Sequence, residues 1–183
     1  MPPDLTRLSK TISHALRHEP ETYNLVLDKE GWVDVVQLLE ALKNKGWKNL
    51  QTEDIISLIE QSEKKRFQLV DGRIRAYYGH STDEKIVKQP HIPPDILYHG
   101  TSAESVDSIM LHGLLPMRRQ YVHLSEDTTT ASIVAGRRKT HATIILTILA
   151  LQAHNDGIPF YREENGIWLS EAISPGYIRW SEP

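Results

Sequence analysis

Cysteine is absent from this chain of 183 residues. That excludes disulfides, thiolate metal sites and a cysteine nucleophile. Long apolar runs are also missing, and no stretch reaches the roughly 18 residues that a membrane-spanning helix needs. The opening Met1-Pro2-Pro3-Asp4 lacks the charged-then-apolar order of a secretion signal, so a cytoplasmic address without a membrane partner is expected. Positive charge is not in excess. Lys and Arg number 21 against 24 Asp and Glu, a formal net charge of −3. This balance excludes a protein that coats nucleic acid non-specifically, so any RNA contact must come from a local cluster. Neither G-x-G-x-x-G after a strand nor G-x-x-x-x-G-K-S/T occurs, which removes the two common phosphate cradles. No H-E-x-x-H marks a zinc site. His14 and His18 lie four apart and could share a metal, but no third ligand accompanies them, and no metal is expected.

What remains is an ordinary globular composition, with 39% hydrophobic and 25% charged residues, enough for one domain or two small lobes. Leu5, Leu8, Ile12, Ala15 and Leu16 recur at helical spacing, and Pro20 stops that helix after His18. Gly31-Trp32-Val33 reads as a short extended piece. Asp34 then caps a helix with Val35, Leu38, Leu39 and Leu42 inward, and Thr52 caps another with Ile55, Ile56 and Ile59 inward. Asp71-Gly72 joins two strands, 66–70 and 73–77, in the strongest short hairpin signal available. Helices followed by such a wing predict a winged-helix-like lobe over 1–88. Residues 89–94, with Pro90, Pro93 and Pro94, read as a linker. From 95 to 183 the chain is strand-rich: strands near 96–99, 121–125, 158–161, 166–169 and 177–180, and helices near 103–112 and 127–137. The run 142–149 is β-branched and apolar and reads as a buried central strand. The fold class is therefore α+β.

Five clusters carry chemistry. Leu8-Ser9 through Arg17-His18-Glu19-Pro20 places two basic residues at a helix carboxyl end, where the helix dipole alone accounts for them. Arg73-Ile74-Arg75-Ala76-Tyr77-Tyr78-Gly79-His80-Ser81 puts two arginines on one face of a strand beside a Gly-His-Ser loop. Solvated arginines are common there, but guanidinium forks also suit phosphate oxygens. Tyr98-His99-Gly100-Thr101 and Val122-His123-Leu124-Ser125 each set a histidine near a strand end, and Asn165-Gly166-Ile167-Trp168-Leu169 supplies a tryptophan that is by default core.

Taken together and in this order, the five clusters span nearly the whole chain and resemble the tRNA 2′-phosphotransferase family. The resemblance implies a winged-helix-like amino lobe and an ADP-ribosyltransferase-like carboxyl lobe. It implies transfer of an internal RNA 2′-phosphate to NAD+, giving RNA with a 2′-hydroxyl, nicotinamide and ADP-ribose 1″,2″-cyclic phosphate. Residue by residue, it places catalysis on Arg17, His18, Arg75 and Arg119. NAD+ binding falls on His99, Gly100, Thr101, His123, Ser125 and Ile167, and RNA contacts on Arg66, Arg73, His80 and Ser81. NAD+ is consumed as co-substrate, the partner is a tRNA-like RNA with a 2′-phosphate, and a monomer is expected. Tyr121 stands where the family usually has histidine, and Tyr78 where glutamine is frequent. Arg118 beside Arg119 leaves the catalytic arginine open by one position. The expectation favours Arg119, with Arg118 pointing the other way along an extended segment. The runner-up is an ADP-ribosyltransferase that modifies a nucleic-acid phosphate and stops after the first step. A non-enzymatic winged-helix nucleic-acid binder would not need the second half of the chain.

Overall fold

The computed structural model describes residues 3–135, 143–164 and 166–180. The chain divides into two compact units, 1–88 and 89–183, each with its own hydrophobic cluster. Every strand pairing in both units is antiparallel among the described residues, and α and β elements are mixed, as α+β requires. No helix among them is long and apolar enough to cross a membrane.

The first unit begins with α1 (Leu5–Arg17), whose first turn is capped by the Asp4 carboxylate accepting from the Thr6 and Arg7 N–H groups. Such a cap contributes about 1 kcal/mol. Leu8, Ile12, Ala15 and Leu16 are fully buried along its inner stripe. A 3-10 turn, Pro20–Tyr23, follows, then β1 (Val33–Asp34) and α2 (Val35–Asn44). Asp34 caps α2 as its position predicts, accepting from Val36 N–H at 2.7 Å. In α3 (Thr52–Gln61) the cap lies one residue earlier than expected, at Gln51, whose N–H is taken by the Asp54 carboxylate. Ile55 is buried but Ile56 is exposed.

The hairpin β2 (Phe67–Val70) and β3 (Arg73–Ala76) turns through Asp71 and Gly72, both at positive φ, the conformation a two-residue type I′ turn demands. β1 adds on the far side of β3, giving the order β1-β3-β2. Val33, Ile74 and Phe67 face inward and join the helices in one core.

The second unit carries a six-stranded sheet of order β7-β8-β5-β4-β6-β9. Its elements are β4 (Ile96–Ser102), α4 (Ala103–His112), β5 (Val122–Ser125), α5 (Thr128–Ala135), β6 (Thr143–Leu149), α6 (Ala150–Asn155), β7 (Phe160–Arg162), β8 (Ile167–Ser170) and β9 (Ile178–Arg179). Segment 89–94 has no regular structure, and His91 N–H within it donates to the Phe160 carbonyl.

One expectation needs correction. β6 is not buried on both faces: it lies second from the edge between β4 and β9, and only Leu146 and Ile148 are fully buried, in alternation. An antiparallel strand needs cover on one face only, so an apolar run does not by itself imply two-sided burial. Its first expected residue, Ala142, and the expected end of the preceding helix lie outside the described residues. A helix that the sequence pattern does not mark follows β6. The chain turns straight into α6, with Ala150 and Ala153 buried.

Candidate active site

In the first unit, α1 delivers Arg17 and His18 at its carboxyl end, where cations oppose the helix dipole. Arg17 Nη2 donates to the Arg66 carbonyl at 3.2 Å, and its guanidinium carbon stands 5.7 Å from the Phe67 ring and 5.5 Å from the Tyr78 ring. Cation–π contacts and a backbone acceptor help to fix the fork. The loop after β3 is tied to this corner. Ser81 N–H donates to the Arg17 carbonyl at 2.8 Å, and Ser81 Oγ lies 2.9 Å from His18 Nδ1.

Arg75 reaches the same neighbourhood from β3. Its register partner on β2 is Gln68, whose Oε1 accepts from Arg75 Nε at 2.8 Å, while the guanidinium lies 4.4 Å over Trp32. His80 sits at the centre, only 3% exposed, with no hydrogen-bond partner for Nε2 among the described residues. Burial pushes its ring down to about 3, and the positive charges of Lys88, Arg17, His18 and Arg75 push the same way. His80 is thus neutral at any physiological pH, and it marks the point on which these cations converge.

The other two arginines point elsewhere. Arg66 Nη1 donates to Ser62 Oγ at 3.1 Å. Arg73 pairs with Asp28 at 2.7 Å. Burial alone would raise the Asp28 carboxyl, but the Trp32 N–H, Arg73 and the Glu30 N–H together hold it below the usual carboxylate range. His14, the other half of the candidate metal pair, faces the Tyr23 hydroxyl at 3.2 Å and Glu19 at 3.7 Å.

In the second unit the candidate residues fall on adjoining strands. β4 meets β5 at Tyr98 and Ser125, and Ser125 is in turn the partner of Ile167 on β8. His99 Nδ1 donates to the His123 carbonyl at 2.9 Å. A carbonyl can only accept, so the neutral ring keeps a lone pair on Nε2. Burial pushes the His99 ring down, the bond to the His123 carbonyl opposes this, and the Arg119 charge adds to the depression. His123 Nδ1 donates likewise to the Tyr121 carbonyl at 3.1 Å. Thr101 lies farther along β4, opposite Ile144 of β6. Gly100 packs against α5: a Cβ there would fall 2.3 Å from the Ala131 carbonyl oxygen.

Arg118 and Arg119 are both exposed, and their segment is a turn, not the extended run expected from sequence. Met117 has φ +58°, and Arg119 N–H donates to the Pro116 carbonyl. Alternation therefore cannot separate the two arginines. The charge of Arg119 adds to the depression of the His99 pKa.

The family described as RNA 2′-phosphotransferase, Tpt1 / KptA family, matches residues 3–172. The chain belongs to the RNA 2′-phosphotransferase family. It is 46% identical to the "Probable RNA 2′-phosphotransferase" of Acetivibrio thermocellus over 178 residues, 97% of both chains. The protein of the same name from Bacillus thuringiensis subsp. konkukian is 48% identical over 174 residues, 94% of both. That of Escherichia coli O9:H4 is 39% identical over 180 residues, 97% of this chain and 96% of the other.

In this family member the sequence reading missed the residues that hold the candidate groups. Gln68 was within reach, because a two-residue hairpin turn places it opposite Arg75 by counting. Trp32, Phe67 and Tyr78 hold the arginines through ring faces that no spacing reveals. Glu126 was also missed; it accepts from Trp168 Nε1 at 2.8 Å and so fixes the start of β8.

Proposed function

We propose that the protein removes an internal 2′-phosphate from RNA by transferring it to the ADP-ribose half of NAD+. The observation that carries the reading is the convergence of Arg17, His18, Arg75 and Lys88 on the buried, neutral His80. Permanently cationic forks braced by aromatic rings and by the Arg66 carbonyl and Gln68 amide oxygens suit an anion with several oxygens. A 2′-phosphate next to an internucleotide phosphate is such an anion.

In the first step a 2′-phosphate oxygen attacks the anomeric carbon of the nicotinamide ribose, and nicotinamide leaves with the electrons of the broken C–N bond. In the second step the neighbouring 2″-hydroxyl attacks phosphorus. The RNA 2′-oxygen departs and takes up a proton, and ADP-ribose 1″,2″-cyclic phosphate forms. Arg17 and Arg75 stabilise charge on the phosphoryl oxygens, and His18 moves a proton or binds phosphate. We assign NAD+ to the second unit, read as ADP-ribosyltransferase-like, with the first unit read as winged-helix-like. The His99 Nε2 lone pair accepts from a ribose hydroxyl, and His123, Ser125, Thr101 and the Gly100 backbone line the same strands. Ile167 is apolar where an acceptor side chain would need activation, which suits an acceptor that is already an anion. Tyr121 is buried and held in its neutral form chiefly by that burial, then by Tyr161, Glu171 and Glu163. We assign tRNA as the source of the phosphate and a monomeric state on the family resemblance alone.

The test is incubation of a short 2′-phosphorylated RNA with and without NAD+, with analysis of RNA and nucleotide. The expected products are 2′-hydroxyl RNA, nicotinamide and the cyclic phosphate, all dependent on NAD+. RNA that retains phospho-ADP-ribose as the end product would favour the one-step transferase, and no nicotinamide release with any RNA would sink both.

A further inference from the structure

Along the outer face of α1 runs a groove of about 460 Å³, closed on the other side by the end of α3 and the segment that follows it. Ser9, Lys10, Ser13 and His18 line it from one side, Ser62 and Arg66 from the other. Helical spacing stacks Ser9, Lys10 and Ser13 on one stripe, and the rise from Thr6 to His18 makes the wall roughly 18 Å long. Among the described residues that line it, none is Asp or Glu. That is notable in a chain with more carboxylates than cations. The side chains of Ser9, Lys10 and Ser13 also make no hydrogen bond or ion pair within the described residues. Arg66 is held in place by Ser62 at 3.1 Å, and Ser62 Oγ in turn donates to the Lys64 carbonyl.

Hydroxyls, one exposed ammonium and one fixed guanidinium, with no carboxylate in the lining, match a sugar-phosphate strand, whose oxygens take hydrogen bonds from Ser, Lys and Arg. A protein partner would find few apolar anchors here, since Leu5 and Leu58 are the hydrophobic lining residues. The groove ends at His18, which pairs with Ser81 beside the cationic cluster. We propose that this groove holds the RNA strand flanking the 2′-phosphorylated nucleotide, so that α1 serves as a backbone track leading to the reacting phosphate. The proposal rests on the reading of Arg17 and His18 as groups that meet that phosphate.

The experiment compares a 2′-phosphorylated dinucleotide with the same junction extended by several nucleotides on each side, at saturating NAD+. Lys10→Glu and the double variant Ser9→Ala/Ser13→Ala alter exposed or half-buried positions of one helix face, and circular dichroism and thermal unfolding check the fold. For Lys10→Glu, KM for the extended RNA is expected to rise about tenfold, with kcat and both constants for the dinucleotide unchanged. The dependence of log kcat/KM on log salt for the extended RNA should flatten by about one unit. The serine pair should move KM in the same direction by less. Equal losses on both substrates, or no loss on either, would overturn the proposal. A His18→Ala variant that turns over the dinucleotide at the full rate would instead defeat the reading of the reacting site, whatever the groove variants show.

Discussion

At the scale of single residues, the clearest consequence of the structure concerns His80. Its ring is neutral in the folded protein down to about pH 3, because burial and then Lys88, Arg17, His18 and Arg75 disfavour a further charge. An unfolded histidine takes up its proton near pH 6.5. The folded state therefore has the lower pKa, stability is complete above pH 6.5, and it is lost as pH falls toward 3. At pH 5 this linkage amounts to about 2 kcal/mol. We predict that the urea midpoint falls between pH 7 and pH 5, and that His80→Gln flattens this fall. An equally steep decline in the variant would assign it to other groups. A second residue-scale prediction separates Arg119 from Arg118. The charge of Arg119 is among those that depress the His99 pKa. Lysine keeps the charge but loses the fork, so Arg119→Lys should lose about a hundredfold in rate, and Arg119→Ala more. Arg118→Ala should stay within a few-fold, and the reverse ranking would move the functional arginine back by one. That choice was not legible in sequence. The reasoning there assumed an extended chain, whereas Met117 at positive φ turns it.

At the scale of elements, Gly100 joins a strand to a helix. Its lack of a side chain lets β4 approach the backbone of α5, where a Cβ would meet the Ala131 carbonyl oxygen at 2.3 Å and Ala135 Cβ at 2.7 Å. The backbone cannot yield as a side-chain tip would. Gly100→Ala should cost roughly 1–3 kcal/mol, in the range of overpacked cores, read as a lower thermal midpoint. Gly176→Ala, with nothing within 4 Å of its added Cβ, should be nearly silent. Equal effects would mean that the close approach does not matter. Packing against α5 thus requires a glycine at this position, whatever its backbone also binds. Elsewhere the elements were readable wherever one local signal governed them. The helical stripe of Leu8, Ile12 and Leu16, the Asp34 cap and the Asp71-Gly72 turn each fix their element within a few residues. The failures came where elements join without punctuation. α6 follows β6 with no Gly or Pro between Leu149 and Ala150, so an apolar run hides the change from strand to helix. The partner strands of β6 are likewise set by long-range pairing that no local pattern encodes.

At the scale of the whole molecule, the two units divide the candidate chemistry. The cations that we propose meet the phosphate, Arg17, His18 and Arg75, gather in the first, and His99 with its strand neighbours stands in the second. Because arginines supply the positive charge, turnover is expected to persist in excess EDTA; loss of activity restored by added zinc or magnesium would count against the mechanism. The division also predicts how damage is distributed between the steps. Expelling nicotinamide needs the bound ribose and a phosphate oxygen as nucleophile, whereas breaking the bond from phosphorus to the RNA oxygen builds charge on the phosphoryl group itself. Arg17 and Arg75, fixed by Phe67, Tyr78, Trp32 and Gln68, are suited to that second demand. Removing a contact made mainly in the transition state lowers the rate of the step that needs it, by about a hundredfold or more per group. Arg17→Ala, His18→Ala and Arg75→Ala are thus each expected to release nicotinamide and then stall, accumulating RNA that carries 2′-phospho-ADP-ribose. Quenched time courses that resolve substrate, this intermediate and product by electrophoresis make the check. If all three variants stop before any nicotinamide appears, the cations of the first unit act in both steps, and the division of labour between the units is wrong.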